Sequence, residues 1–166
     1  MRLAFEFLIL TASGTEEALG MQWAEVDEAG RTWAVPAERM KAKRAHRVPL
    51  SSRCTEILDR AKQLGARSTF VFPGRSGDKP LSNMVFLMAL RRMNLQATAH
   101  GFRSSFRDWA AEQTSFPREV CEMALAYVVE NRVEAAYRRS DLFEKRRELM
   151  DCWAIYVTSS RTGSES

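Results

Sequence analysis

The chain opens on an apolar run, Arg2 to Ala12, in which Arg2 and Glu6 stand one helical turn apart. That pattern predicts a largely buried first helix. Thr15-Glu16-Glu17 predicts a second, short helix with Thr15 as N-cap, acidic residues in its first turn and Gly20 closing it. Thr32–Pro36 and His46–Leu50 alternate as short strands, each bounded by a proline at an end or edge. From Ser51 to Leu64 the apolar positions Ile57, Leu58, Ala61 and Leu64 recur on one helical face, with Ser51 or Ser52 as N-cap and Gly65 as the stop. Phe70-Val71-Phe72 reads as a brief buried strand, and residues 73 to 80 as a Gly/Pro/Ser loop. Helical spacing then resumes over Ser82–Met93, Thr98–Glu112, Pro117–Ala126, Asn131–Ser140 and Asp141–Val157. The expected fold is mainly α with a small antiparallel β-sheet near residues 31 to 50 and 70 to 72. Residues 1–157 form one domain, and 158–166, polar and serine-rich, form a disordered tail. The amphipathic face of the last helix suits core packing and docking on a neighbouring subunit equally.

With 166 residues and 45% hydrophobic content the chain is one domain's worth, long enough to bury a core. A net charge of +4 permits a polyanionic partner without demanding one. No apolar stretch reaches the length of a membrane span, and no signal peptide is evident. Cys54, Cys121 and Cys152 are odd in number and scattered, which suits thiols in a reducing cytoplasm. Two histidines and no cysteine pair at ligand spacing argue against structural zinc.

Three stretches change this bland picture. Arg39-Met40-Lys41-Ala42-Lys43-Arg44 makes a basic tip between the two strands. His100 and Arg103 lie at i and i+3 on one helix face, near a helix start whose free N–H groups suit an anion. Leu125-Ala126-Tyr127 is followed by Ala136-Tyr137-Arg138-Arg139, a phenol between small neighbours in electropositive surroundings. Singly, each is a common surface pattern. In this order they resemble the tyrosine recombinases, specifically the catalytic domain of prophage-type integrases. That family carries His-x-x-Arg, then Leu-Ala-His, then a tyrosine in an Ala-Ala-Tyr-like context. The resemblance covers roughly Arg2 to Tyr156.

The resemblance implies a DNA breaking-rejoining catalytic domain that acts on double-stranded DNA with no metal or other cofactor. Tyr137 would attack the scissile phosphate, leaving a 3′-phosphotyrosyl bond and a free 5′-hydroxyl. Arg103 would clamp the non-bridging oxygens, because a guanidinium fork matches two phosphate oxygens. His100 would bond the phosphate or help move the tyrosine proton. Lys41, placed by its distance from Val48-Pro49-Leu50, would protonate the leaving oxygen, with Lys43 as its competitor. Glu17 matches an orienting acidic position. Two positions depart from the family. Tyr127 stands where histidine is usual and can still donate one hydrogen bond. Gly14 stands three residues before Glu17, where the family keeps its first catalytic arginine. The expectation is therefore an impaired enzyme. The alternatives are a DNA-binding module that does not cleave, or a decaying prophage remnant. Because the sequence begins directly at the catalytic segment, a further expectation is that it lacks the family's N-terminal DNA-binding domain and binds DNA weakly and salt-dependently. The family's habit of passing its C-terminal segment to the next protomer implies a homo-oligomer on DNA.

Overall fold

In a computed structural model, which describes residues 1–65, 67–127 and 140–159, the described residues form seven α-helices, two short 3-10 helices and one three-stranded antiparallel sheet. Helix α1 spans Arg2–Thr11 and α2 spans Thr15–Leu19. Strands β1 (Val26–Asp27), β2 (Thr32–Val35) and β3 (His46–Pro49) follow. Helices α3 (Ser52–Leu64), α4 (Met84–Arg92), α5 (Gly101–Gln113), α6 (Arg118–Ala124) and α7 (Phe143–Ser159) complete the described chain. The sheet order is β1-β2-β3, with Trp33 opposite Val48 and Val35 opposite His46.

Two apolar clusters hold the fold. The larger gathers Phe7, Leu10, Trp33, Val35, Ile57 and Phe86 from α1, the sheet, α3 and α4. The smaller gathers Phe106, Val120, Leu125, Leu149 and Trp153 from α5, α6 and α7. Helix α1 touches both: Ile9 packs against each cluster, and its carbonyl accepts a 2.8 Å hydrogen bond from Trp153 Nε1. The apolar face of α7 is therefore used within its own subunit, Phe143, Leu149, Met150 and Trp153 being buried there. Ile155 and Tyr156 remain exposed.

Several local expectations are corrected. Gly14, not Thr15, is the N-cap of α2, because the Glu17 carboxylate reaches back to the Gly14 N–H at 3.1 Å. Ser51 caps α3 as expected, its hydroxyl accepting from the Cys54 N–H. Leu64 is 76% exposed and Cys54 takes the inward place, because the inner stripe drifts off the last turn. Phe70 makes only an isolated bridge to Gln22, so the expected strand at 70 to 72 is an irregular segment, although Val71 and Phe72 are buried. The third strand comes instead from Val26–Asp27. Helix α7 continues through Ser159, two residues into the expected tail. The helix expected over Asn131–Ser140 falls outside the described residues except for Ser140, which is not helical.

Candidate active site

The centre of the site is Arg103. It leaves α5 on an inward face and is only 9% exposed. Its Nη1 donates to the Ala12 carbonyl at 2.9 Å and its Nη2 to the Leu125 carbonyl at 2.5 Å. Ala12 caps the C-terminus of α1 and Leu125 that of α6. A buried guanidinium is costly unless hydrogen-bonded, and here it meets the negative ends of two helices. Two of its five N–H bonds are engaged this way, and no other acceptor for it is found among the described residues.

The Leu125-Ala126-Tyr127 stretch explains itself in this frame. Leu125 is buried, and Ala126 takes a left-handed φ of 55° just past the end of α6. The Ala126 N–H bonds Met123 O and the Tyr127 N–H bonds Glu122 O, closing a Schellman turn. The turn returns Tyr127 to Arg103: its ring centre lies 5.6 Å from the Arg103 Cζ and 5.9 Å from that of Arg107. Tyr127 is 41% exposed.

On the other side of Ala12, Gly14 begins α2 with φ −71° and ψ 155°, ordinary extended backbone open to any residue. Gly14, Glu17, Arg39, Lys41 and Lys43 line one open cleft. The cleft is braced by Arg39. Its Nη1 donates to the Glu16 and Glu17 carbonyls at 3.3 and 3.0 Å, while its Nε and Nη2 hold the Glu25 carboxylate. Glu25 also accepts from Trp33 Nε1 at 2.9 Å, so the brace joins α2 to the sheet. Gly20 leaves room for it, since a Cβ there would stand 2.7 Å from Arg39 Nη1. Gly20→Ala should therefore loosen the brace and lower stability by about 1–2 kcal/mol in urea unfolding, the cost of disturbing a charged donor to two carbonyls. An unchanged midpoint would show that the brace yields freely.

Lys41 is exposed at the strand connection. Its competitor Lys43 has a left-handed φ of 55° and turns its Nζ toward the Glu38 carbonyl at 3.5 Å. His100 is exposed immediately before α5, one turn ahead of Arg103, and Thr98 Oγ1 rather than His100 accepts from the Gly101 N–H. Tyr137 lies outside the described residues. The structure thus brings Arg103, Tyr127 and the Gly14 segment together and sets Lys41 in the cleft with Gly14.

Two residues near this centre carried no functional expectation. His46, half buried on β3, stands opposite Val35 in the sheet. Burial first, then the Arg146 and Arg103 charges, push its pKa down to about 4, while the Ala124 carbonyl and Asp141 act the other way. Arg146 of α7 is 2% exposed; burial draws its pKa down to about 10 despite nearby Asp141. It donates to the Arg47 carbonyl and, at 3.4 Å, to the Asp141 carbonyl. Strand alternation, which turns His46 to the side of buried Val48, was the available signal for the first. Among the described residues no cluster of His, Cys, Asp or Glu could hold a metal ion, and no helix is long and apolar enough to cross a membrane.

Comparison with known proteins gives the family and the fold. The profile of the Phage integrase family matches residues 1–142. Prophage integrase IntA of Escherichia coli (strain K12) is 38% identical over 166 residues, covering 98% of this chain and 40% of that protein. Prophage integrase IntZ of the same strain is 35% identical over 166 residues, covering 99% and 41%. The chain thus spans about two fifths of the length of the curated relatives it matches. Among solved structures, the integrase from mycobacterium phage Brujita superposes with a TM-score of 0.63 at 17% identity, over 89% of this chain and 50% of that one. The lambda integrase catalytic core gives 0.59 at 20% identity, over 79% and 81%.

Proposed function

The chain belongs to the phage integrase family, and from that premise we propose that it is a tyrosine-recombinase catalytic domain that breaks and rejoins double-stranded DNA. The observation that carries the reading is Arg103, a guanidinium preorganised between two helix ends with Tyr127 beside it. A phenol with a pKa near 10 is a weak nucleophile at neutral pH, so the site must stabilise charge developing on the phosphate. In this reading the Tyr137 hydroxyl attacks phosphorus and its proton passes toward His100. The bond to the 5′-oxygen breaks, and Lys41 protonates that oxygen. Arg103 and the Tyr127 hydroxyl hold the non-bridging oxygens. Lys41 is preferred over Lys43 because the latter is turned onto Glu38. The 3′-phosphotyrosyl bond keeps the energy of the phosphodiester, so a 5′-hydroxyl can reverse the step. Assembly on DNA as a homo-oligomer belongs to the same reading. It is supported by the structural likeness to a lambda integrase tetramer bound to a Holliday junction.

The decisive experiment uses duplex DNA nicked beside the cleavage position. A denaturation-resistant protein–DNA adduct that vanishes in Tyr137→Phe establishes the reaction; an adduct that persists without Tyr137 refutes it. One observation favours a second reading, a DNA-binding module that does not cleave: Gly14 offers no charge where the family keeps an arginine. Both readings need Lys41, on the rim of the cleft, to meet phosphate. Lys41→Ala should weaken binding to any duplex alike and reduce the salt slope by about 1, as loss of one phosphate contact does. An unchanged slope in a salt titration removes Lys41 from the interface.

A further inference from the structure

Arg107 stands one turn beyond Arg103 on α5, on the flank of the inward face that carries Arg103, Phe106 and Trp109. Its Cζ lies 5.9 Å from the centre of the Tyr127 ring, and that of Arg103 lies 5.6 Å from the same centre. Both distances fall within the range of about 6 Å at which a guanidinium is attracted to an aromatic ring. Two cations thus share Tyr127, Arg103 being buried and the Arg107 side chain 48% exposed. The ring holds at the rim of the site a side chain that would otherwise sample many rotamers in water.

The charge of Arg107 is poorly matched where it stands. Its Nη2 comes only within 4.0 Å of Glu122 Oε1, too far for a hydrogen bond. That same oxygen accepts from Arg118 Nε at 2.7 Å. One carboxylate therefore serves two guanidiniums, and no hydrogen bond donated by Arg107 is found among the described residues. Arg103, the next cation along the helix, is bonded to two carbonyls that bring no net charge.

We propose that Arg107 is a second phosphate-binding arginine of this site, taking a phosphodiester next to the one that Arg103 would hold on the same strand. The proposal rests on the reading of Arg103 as the clamp of the scissile phosphate. Helix α5 rises about 6 Å between the two residues. A DNA strand advances about 3.4 Å per phosphate, so a strand running along this seam passes from Arg103 to Arg107 within two steps. The planar fork of an arginine matches two oxygens of such a phosphate. A contact made on binding and kept through the reaction strengthens association and fixes the strand in place.

The test begins with salt titrations of intact-duplex binding by the parent chain, Arg107→Gln, Arg107→Lys and Glu122→Gln. Arg107→Gln should weaken binding about 10-fold at low salt and reduce the salt slope by about 1. Arg107→Lys, which keeps the charge, should keep the slope. Glu122→Gln removes the acid nearest Arg107 and should bind at least as tightly as the parent. An unchanged slope in Arg107→Gln, or an equal loss of affinity in Glu122→Gln, makes Arg107 a brace between α5 and α6 and overturns the proposal. A pair this loose and exposed adds little stability, so the urea midpoint of Arg107→Gln should match the parent's, and a lowered midpoint assigns the loss to the brace. The phosphate is then located with nicked duplexes that carry one neutral methylphosphonate at each position flanking the cleavage site. One of them should weaken the parent about 10-fold and Arg107→Gln hardly at all, the non-additivity of a direct contact. Additive losses at every flanking position refute the assignment. Neither measurement needs an adduct: if neither this chain nor Gly14→Arg forms one, the cleavage reading falls and binding still decides the role of Arg107.

Discussion

Gly14→Arg should raise the rate of phosphotyrosyl adduct formation on nicked DNA by about 10³-fold or more, the scale on which a single arginine acts in other phosphoryl-transfer sites. Position 14 can accept the change. Its φ of −71° carries no left-handed strain. A Cβ there would stand 3.1 Å from Glu17 Oε1, so the carboxylate that caps the Gly14 N–H must shift by a few tenths of an ångström to admit it. The cost is a cation at a helix N-terminus, about 0.3–1 kcal/mol, against roughly 4 kcal/mol for a thousandfold in rate. The new guanidinium would enter the cleft of Lys41, two residues from the carbonyl that holds Arg103. Adding Tyr127→His should contribute less, because Tyr127 already presents a donor. The comparison is this chain, Gly14→Arg and Gly14→Arg/Tyr137→Phe. Adduct in the single variant that disappears in the double one is the expected result. Equal adduct with and without the arginine would show that Gly14 is not the defect.

Stability should fall steeply in mild acid on account of His46. Its pKa is about 4 in the fold against 6.5 when free, so below pH 6.5 the unfolded chain takes up a proton that the folded chain refuses. Stability therefore rises with pH between about 4 and 6.5, and the full difference is on the order of 3 kcal/mol. Burial and the charges of Arg146 and Arg103 oppose protonation. Asp141 and the Ala124 carbonyl favour it without overcoming them. Urea unfolding at pH 7.5 and pH 4.5 checks this against His46→Gln, which cannot titrate. The unaltered chain should lose about 2–3 kcal/mol more than the variant across that interval, and parallel losses would mean that His46 is free to charge in the fold.

What the residues announced, and what they did not, divides along physical lines. Helices α1 and α3 and the β2–β3 pair were legible because their apolar period, caps and bounding prolines all agree. Thr15 and Gly14 both fit the start of α2, because two side-chain acceptors compete locally for its free N–H groups, and only the bond from the Gly14 N–H to Glu17 decides between them. Phe70-Val71-Phe72 looks like a strand, but its alternation cannot reveal that a single bridge to Gln22 is available. At the site, the order of the motifs pointed to Arg103, Tyr127 and Lys41, while the struts between them were invisible. Arg39 acts through Glu16, Glu17 and Glu25, and Arg146 through the Arg47 carbonyl, all distant in sequence, and no local pattern marks an arginine that will be 2% exposed.

The hydrogen bond from Trp153 to Ile9 joins residues 144 apart, and around it the last described helix closes on the first. During synthesis α1 must therefore wait, its inner face partly uncovered, until almost all of the described chain has left the ribosome. At translation rates of about 5–20 residues per second that is a delay of roughly 7 to 30 seconds. Such long-range closure also slows folding relative to a bundle built from neighbouring helices. The exposed interval falls on the apolar stretch Phe5-Glu6-Phe7-Leu8-Ile9-Leu10, where Glu6 is the only charge. That glutamate later pairs with Arg53 at 2.6 Å, but on the nascent chain it serves first as the one polar interruption in a segment otherwise prone to self-association.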